Sequence, residues 1–231
     1  MVTIRDVPLE NIRNKRIFVL VDPNVERAAP ALGSLRGKGA RLVVATHLPG
    51  PPGGSTERLS LQFAQELSRM LGLRVIKLDS AVGPEVMRAV FDMRADEVVL
   101  LENLSIFKED AANDVAFARQ LGMLCEVFVN DAFDTADKPL ASNTGITSWV
   151  PIAIAGPWFH ERVQYLKQFL GNPTRPFMAI VGGSGIAHKL ELLHAILPNL
   201  DRLFAGGSLA FSFLKVRGHE TVLVRKYPYD G

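Results

Sequence analysis

The sequence predicts an α/β protein, a doubly wound parallel sheet followed by an incomplete second Rossmann-like lobe. Short runs rich in Val, Ile and Leu recur along the chain, nearly without polar interruption. That pattern belongs to parallel strands covered on both faces. Segments of helical periodicity separate the runs, and repeated strand–helix–strand units build parallel sheets. Near Pro151 the composition changes, and a second, shorter alternating series follows.

In chain order, 16–21, 41–46, 74–78, 97–101 and 126–129 read as the strands of the first domain. Ser60 is placed to cap a helix running to Leu71, with Leu61, Ala64, Leu67 and Leu71 on one stripe. Gly83-Pro84 opens the next helix, proline at a first-turn position, with Val86, Val90 and Phe91 turned inward. A further helix covers 114–121, stopped by Gly122. Residues 158–170 form one amphipathic helix, ended by Gly171-Asn172-Pro173. Beyond it 177–181, 201–205 and 221–224 read as strands. Helices run from the Gly182-Gly183-Ser184-Gly185 turn to about Leu197, and from Ser208 to Val216. The expected organisation is a domain over 1–157, a linking helix over 158–172 and a partial second domain over 173–231. Three strands and two helices leave an edge or a face of a sheet open. A homo-oligomer or a protein complex that completes the second lobe is therefore expected.

Composition excludes several classes. The 231 residues can bury a substantial core, and 48% hydrophobic content is too high for disorder. A net charge of +2, with basic residues scattered and not interleaved with aromatics, argues against nucleic acid. One cysteine, Cys125, allows no internal disulfide and no multi-thiolate zinc site, and it reads as a buried small hydrophobe. No stretch approaches the roughly 18 apolar residues of a membrane helix. The N-terminal stretch mixes acids with bases and has no apolar core of a signal peptide. A cytoplasmic protein with no membrane or nucleic-acid partner is expected.

Open α/β sheets bind ligands at the carboxyl ends of their strands. The polar tips here are Asp22-Pro23-Asn24, His47-Leu48-Pro49-Gly50, Glu102-Asn103 and Asn130-Asp131, with Gly182-Gly183 and Gly206-Gly207 in the second half. Each also fits an ordinary turn or cap. Gly182-Gly183-Ser184-Gly185 stands between a strand and a helix, where bare backbone can approach a phosphate. Lys189, seven residues past Gly182, can add an ammonium. His160, His188 and His194 show no metal-ligand spacing, and no metal site is expected.

Six ordered segments carry a family resemblance: Val21-Asp22-Pro23-Asn24-Val25, Ala45-Thr46-His47-Leu48, Val99-Leu100-Leu101-Glu102-Asn103-Leu104, Phe128-Val129-Asn130-Asp131-Ala132-Phe133, Arg175-Pro176-Phe177 and Gly206-Gly207. From about Arg5 onward the chain resembles phosphoglycerate kinase. The resemblance implies a two-lobed glycolytic kinase. Its N-terminal lobe binds 3-phosphoglycerate in a basic patch, its C-terminal lobe binds ATP or ADP with Mg²⁺, and a hinge helix, matched by 158–170, closes one onto the other. It implies substrate-binding roles for Asp22, Asn24, His47 and Lys138. It implies nucleotide-binding roles for Gly182, Gly183, Lys189, Gly206 and Gly207, with Lys189 also catalytic.

The family's cations are mostly missing. Its first-strand arginine is Leu20 here, and Arg27 stands one residue out of register with a catalytic arginine, which leaves its role open. Two more arginines are Gly50 and Ser105. In 134–140 two histidines are gone, Lys138 replaces an arginine, and Asp134 and Asp137 are added. Gly185 stands where the family has a lysine on the transferring phosphoryl group. A charge-assisted hydrogen bond contributes about 1.5–3 kcal/mol, so losing three or four weakens a phosphate ligand by several factors of ten. One transition-state arginine is worth about 10³ to 10⁵ in rate. The chain is also shorter than family members. The sequence therefore predicts a phosphoglycerate-kinase-like pseudoenzyme, kept as a scaffold or binding module, that grips a small phosphate ligand or ATP poorly. The alternatives are an active or weakly active kinase and a fragment of a longer one.

Overall fold

The computed structural model describes residues 1–50, 56–183 and 186–219. Its contacts divide the chain into two compact units, Met1–Val163 and Gln164–Gly231. In the first, the elements are β1 (Arg16–Val21), α1 (Val25–Gly37), β2 (Arg41–Thr46), α2 (Glu57–Leu71), β3 (Arg74–Lys77), α3 (Pro84–Asp92), β4 (Glu97–Leu100), α4 (Lys108–Ala111), α5 (Val115–Gly122), β5 (Val127–Asp131) and β6 (Ile152–Ala155). The last helix, α6 (Pro157–Gly171), begins here and runs on into the second unit.

The sheet is wholly parallel, in the order β3-β4-β2-β1-β5-β6. Alternate side chains of β1 and β2 feed two separate cores, as the two-residue period of a strand requires. Ile17, Val19, Val21, Leu42 and Val44 pack with Leu32 and Leu35 of α1 and Phe63 and Leu67 of α2. Phe18, Leu20, Val43 and Ala45 pack with Val86 and Val90 of α3 and Phe117 and Leu121 of α5. Cys125 lies in the second core, where burial pushes its thiol up to about 12.

Several helix expectations need correction. Residue Ser60 does not cap α2, which starts at Glu57; it sits buried inside the helix, its hydroxyl donating to Glu102 Oε1 at 2.9 Å. Of the expected stripe, Leu61 is 45% exposed, and Phe63 takes the inward place. Phe91 is 49% exposed and lies under the Arg16 guanidinium, 3.9 Å from its ring centre, a cation–π contact. Helix α1 and strand β6 were not expected. Asn24 caps α1, its Oδ1 accepting from Arg27 N at 3.0 Å.

The second unit holds β7 (Met178–Val181), α7 (Ile186–Ile196), β8 (Arg202–Ala205) and α8 (Gly207–Val216). β7 and β8 pair in parallel, with Ile180 opposite Phe204. The strand expected over 221–224 lies outside the described residues. Ala179, Val181, Leu203 and Ala205 are half-buried, while Met178, Ile180 and Phe204 alternate with them and face outward. Ile180 is 86% exposed.

One buried network holds the loop after β2 against the end of β4. Lys77 Nζ donates to Glu102 Oε2 at 2.7 Å, and Asn103 N donates to Glu102 Oε1 at 2.7 Å. The Asn103 side chain then clasps Leu48, its Oδ1 accepting from Leu48 N at 2.8 Å and its Nδ2 donating to Leu48 O at 3.1 Å. Burial alone would raise the Glu102 carboxyl, but Lys77, Asn103 and Ser60 outweigh it and hold it below its ordinary 4.5. Lys77 is desolvated too, yet Glu102 and Asp79 keep it above its ordinary 10.5. Removing one member of a buried pair strands the other. Glu102→Gln is expected to cost about 3 kcal/mol, read as a lower urea midpoint at unchanged slope. The Glu102 contribution is present above pH 4.5 and lost as pH falls through its depressed folded value; that of Lys77 is lost as pH rises beyond its raised one.

Candidate functional site

The carboxyl ends of β1, β2 and β5 border a pocket of about 280 Å³. Its polar lining is Asp22, His47, Ser105, Asp134, Thr135 and Lys138. Asp22 is buried at the tip of β1. Its Oδ1 accepts from Asp134 N at 2.9 Å and its Oδ2 from Trp158 Nε1 at 2.8 Å. Burial raises its carboxyl above the ordinary range, with those two donors pulling the other way.

His47 is tied from behind. Its Nε2 donates to Asp110 Oδ2 at 2.7 Å, and Ser142 Oγ lies 3.5 Å from the same nitrogen. A carboxylate only accepts, so the proton sits on Nε2. Asp110 is itself fixed, its Oδ1 accepting from Ser142 N at 2.8 Å. His47 Nδ1 is buried with no hydrogen-bond partner among the described residues, as is Thr135 Oγ1. Serine, histidine and aspartate stand together here, but Ser142 and Asp110 share one ring nitrogen. The relay of a hydrolytic triad needs them on opposite nitrogens.

The structure brings Asp22, His47 and Lys138 to one pocket. Asn24 is one residue beyond it, spent as the cap of α1. Arg27 is in the first turn of α1, its guanidinium 4.7 Å from the centre of the Trp158 ring. Two of the three positions where the resemblance implies arginines are closed. Leu20 is 0% exposed within the second core. At Gly50 a Cβ would meet Thr56 Cγ2 at 2.5 Å. Ser105, by contrast, opens on the pocket.

The second unit gathers Gly182, Gly183, Lys189, Gly206 and Gly207. The loops after β7 and β8 pack backbone to backbone: a Cβ on Gly207 would meet Gly183 N at 3.2 Å, and both glycines have positive φ. Lys189 Nζ donates to Gly182 O, and Ser208 Oγ to Gly183 O at 2.8 Å. Both loops lead into the N-terminal ends of α7 and α8. Asp110, Asp131, Trp158 and Arg162 were not among the expected site residues. The sequence singled out Asn130-Asp131 as a tip, but nothing in it pairs Asp110 with a histidine 63 residues away.

A family model described as phosphoglycerate kinase matches residues 5–226. The chain belongs to the phosphoglycerate kinase family. It is 38% identical over 214 residues to a phosphoglycerate kinase of Chlorobium phaeobacteroides, covering 92% of this chain and 53% of that protein. A phosphoglycerate kinase of Nostoc sp. is 37% identical over 231 residues, covering 94% and 58%. The solved structure of phosphoglycerate kinase from Coxiella burnetii superposes with a TM-score of 0.75 at 30% identity, covering 94% of this chain and 57% of that one. The Pyrococcus horikoshii OT3 phosphoglycerate kinase shares the fold, with a TM-score of 0.81 at 23% identity. The chain thus spans little more than half the length of these relatives. Among the described residues no helix is long and apolar enough to cross a membrane. Nor do three His, Cys, Asp or Glu side chains come together as metal ligands among the described residues.

Asp110→Ala removes the partner of His47 and strands the buried Ser142 N–H. A loss of about 2–3 kcal/mol is expected, measured as a lower calorimetric midpoint, with Asp110→Asn falling between.

Proposed function

We propose that this chain is a phosphoglycerate-kinase-like scaffold or binding module that does not phosphorylate 3-phosphoglycerate. The observation that supports this reading is the closure of two of the positions where the resemblance puts arginines. Leu20 extends the core to the tip of β1, and Thr56 occupies the space a side chain at Gly50 would need. What lines the pocket is Asp22 and Asp134 against Lys138, with His47 already held by Asp110. Phosphoryl transfer draws its rate from positive charge aimed at the equatorial oxygens. A dianion entering here meets two carboxylates and one lysine.

A second reading, retained nucleotide binding, is supported by the paired glycine loops of the second unit. They keep bare backbone and the Lys189 ammonium next to two helix starts, which suits a phosphate. The outward faces of Met178, Ile180 and Phe204 support a further proposal, that a second copy or another protein covers this unit. The compartment proposed is the cytoplasm, as for a soluble glycolytic relative.

A coupled assay at high enzyme concentration is expected to show turnover well below about 1 s⁻¹, the lower end of ordinary enzymes; faster turnover defeats the first reading. Titration calorimetry adds a control. Ser105→Arg places a cation at a pocket-lining position and is expected to tighten 3-phosphoglycerate about tenfold, whereas Gly50→Arg is expected to destabilise the fold. Heat from Mg-ADP in the unmodified protein supports the second reading. Light scattering is expected to report an assembly larger than one chain, and a stable folded monomer counts against a covered second unit.

A further inference from the structure

The first turn of α6 is held to the first unit by two buried acids. β1 and β5 are neighbours, with Val21 opposite Asp131, so Asp22 and Asp131 end adjacent strands side by side. α6 begins at Pro157, and its first free N–H groups point back at these tips. Asp131 Oδ1 accepts from Phe159 N at 3.1 Å, and Asp22 Oδ2 accepts from Trp158 Nε1 at 2.8 Å. The Phe159 ring stands edge-on to Phe133, 6.1 Å between centres. Gly156 closes the joint, its N donating to Asn130 O at 2.8 Å. A Cβ on Gly156 would run into the Asp131 carboxyl, so that carboxyl lies against bare backbone.

Asp131 is 2% exposed, and its Oδ2 is buried with no hydrogen-bond partner among the described residues. Its charged surroundings are mixed. β1 contributes Asp22 and the loop beyond β5 contributes Asp134. On the neighbouring helices, α1 carries Arg27 and the first turns of α6 carry His160, Glu161 and Arg162. The amino group of Met1 belongs to a residue lining a shallow pocket with Asn130 and Phe159. The two guanidiniums lie over the Trp158 ring, at 4.7 and 4.1 Å, one side chain removed from Asp131. Asp22 is the charge that acts on Asp131 itself.

We propose that Asp131 is a proton-operated anchor for the first turn of α6: protonated it keeps the turn seated, and ionised beside Asp22 it loosens it. Burial pushes the Asp131 carboxyl up to about 7 from an ordinary 3.8, with Asp22 adding to the rise and the Phe159 and Trp158 N–H groups opposing it. The seated state therefore holds the proton more tightly than a state in which the carboxyl is hydrated. Seating is unpenalised below pH 3.8, weakens as pH rises, and carries the full cost of a buried anion once pH passes about 7. Because α6 continues from the first compact unit into the second, the proton acts on the segment that joins them.

The chain has two tryptophans. Trp149→Phe leaves Trp158 as the only indole reporter in the full chain. Its emission and its quenching by acrylamide are expected to change in one step centred near pH 7, with far-UV circular dichroism constant. In the same background Asp131→Asn, which keeps the acceptor for Phe159 N–H and cannot ionise, is expected to abolish the step and leave Trp158 protected at all pH values. Asp22→Asn removes the neighbouring charge and is expected to move the step to lower pH. A carboxyl-carbon NMR titration of the unmodified protein reads Asp131 directly, whatever the variants do to folding. A midpoint near 7 supports the anchor. A midpoint near 4, no fluorescence step in the Trp149→Phe protein, or a step that survives Asp131→Asn overturns it.

Discussion

A parallel sheet collects the carboxyl ends of its strands on one edge, and here that edge is crowded with buried acids. Asp22, Glu102, Asp110 and Asp131 are all sequestered from solvent. A buried carboxylate without partners costs several kcal/mol, so the loops around these acids are shaped by the donors they must deliver. Glu102 receives Lys77, Ser60 and the Asn103 N–H. Asp110 receives His47 and the Ser142 N–H, and Asp22 receives Trp158 and the Asp134 N–H. Only Asp131 has an oxygen left over among these four. These bonds are all internal. Three of the four acids are thus satisfied by the protein's own donors.

The strands were legible because parallel strands buried on both faces are unbroken apolar runs, and β1 and β2 match their expected bounds. Helix α1 carries an interior proline, Pro30, which weakens its helical signal. The proline stands on the exposed side of α1, and Leu32 and Leu35 anchor the turn beyond it. Strand β6 was hidden by its brevity, four residues between Pro151 and Gly156. The inward placement of Leu61 and Phe91 failed for a simpler reason. Periodicity identifies a stripe but does not fix which edge of it meets the sheet, and in α2 the stripe is shifted toward Phe63.

The pocket shows the same division. Sequence can say that an arginine is absent, but it cannot say what stands in the gap. At Leu20 the gap is closed by hydrophobic core, and at Gly50 by the methyl of Thr56. At Ser105 it is open to the pocket. Three positions that look alike on paper thus differ physically, two of them built into the packing and one confined to the wall. The tethering of His47 by Asp110 was equally out of reach, since α4 offers two adjacent acids and only the fold decides that Asp110 is the buried one.

The two-stranded sheet of the second unit has a bearing on how the protein fares in a cell. Ile180 and Phe204 sit in register on one bare face, and Val216 ends α8 at 88% exposed. Exposed apolar surface of this kind is what molecular chaperones recognise and what quality-control proteases sample. These side chains, more than the tightly packed first sheet, are then where the polypeptide is open to such surveillance.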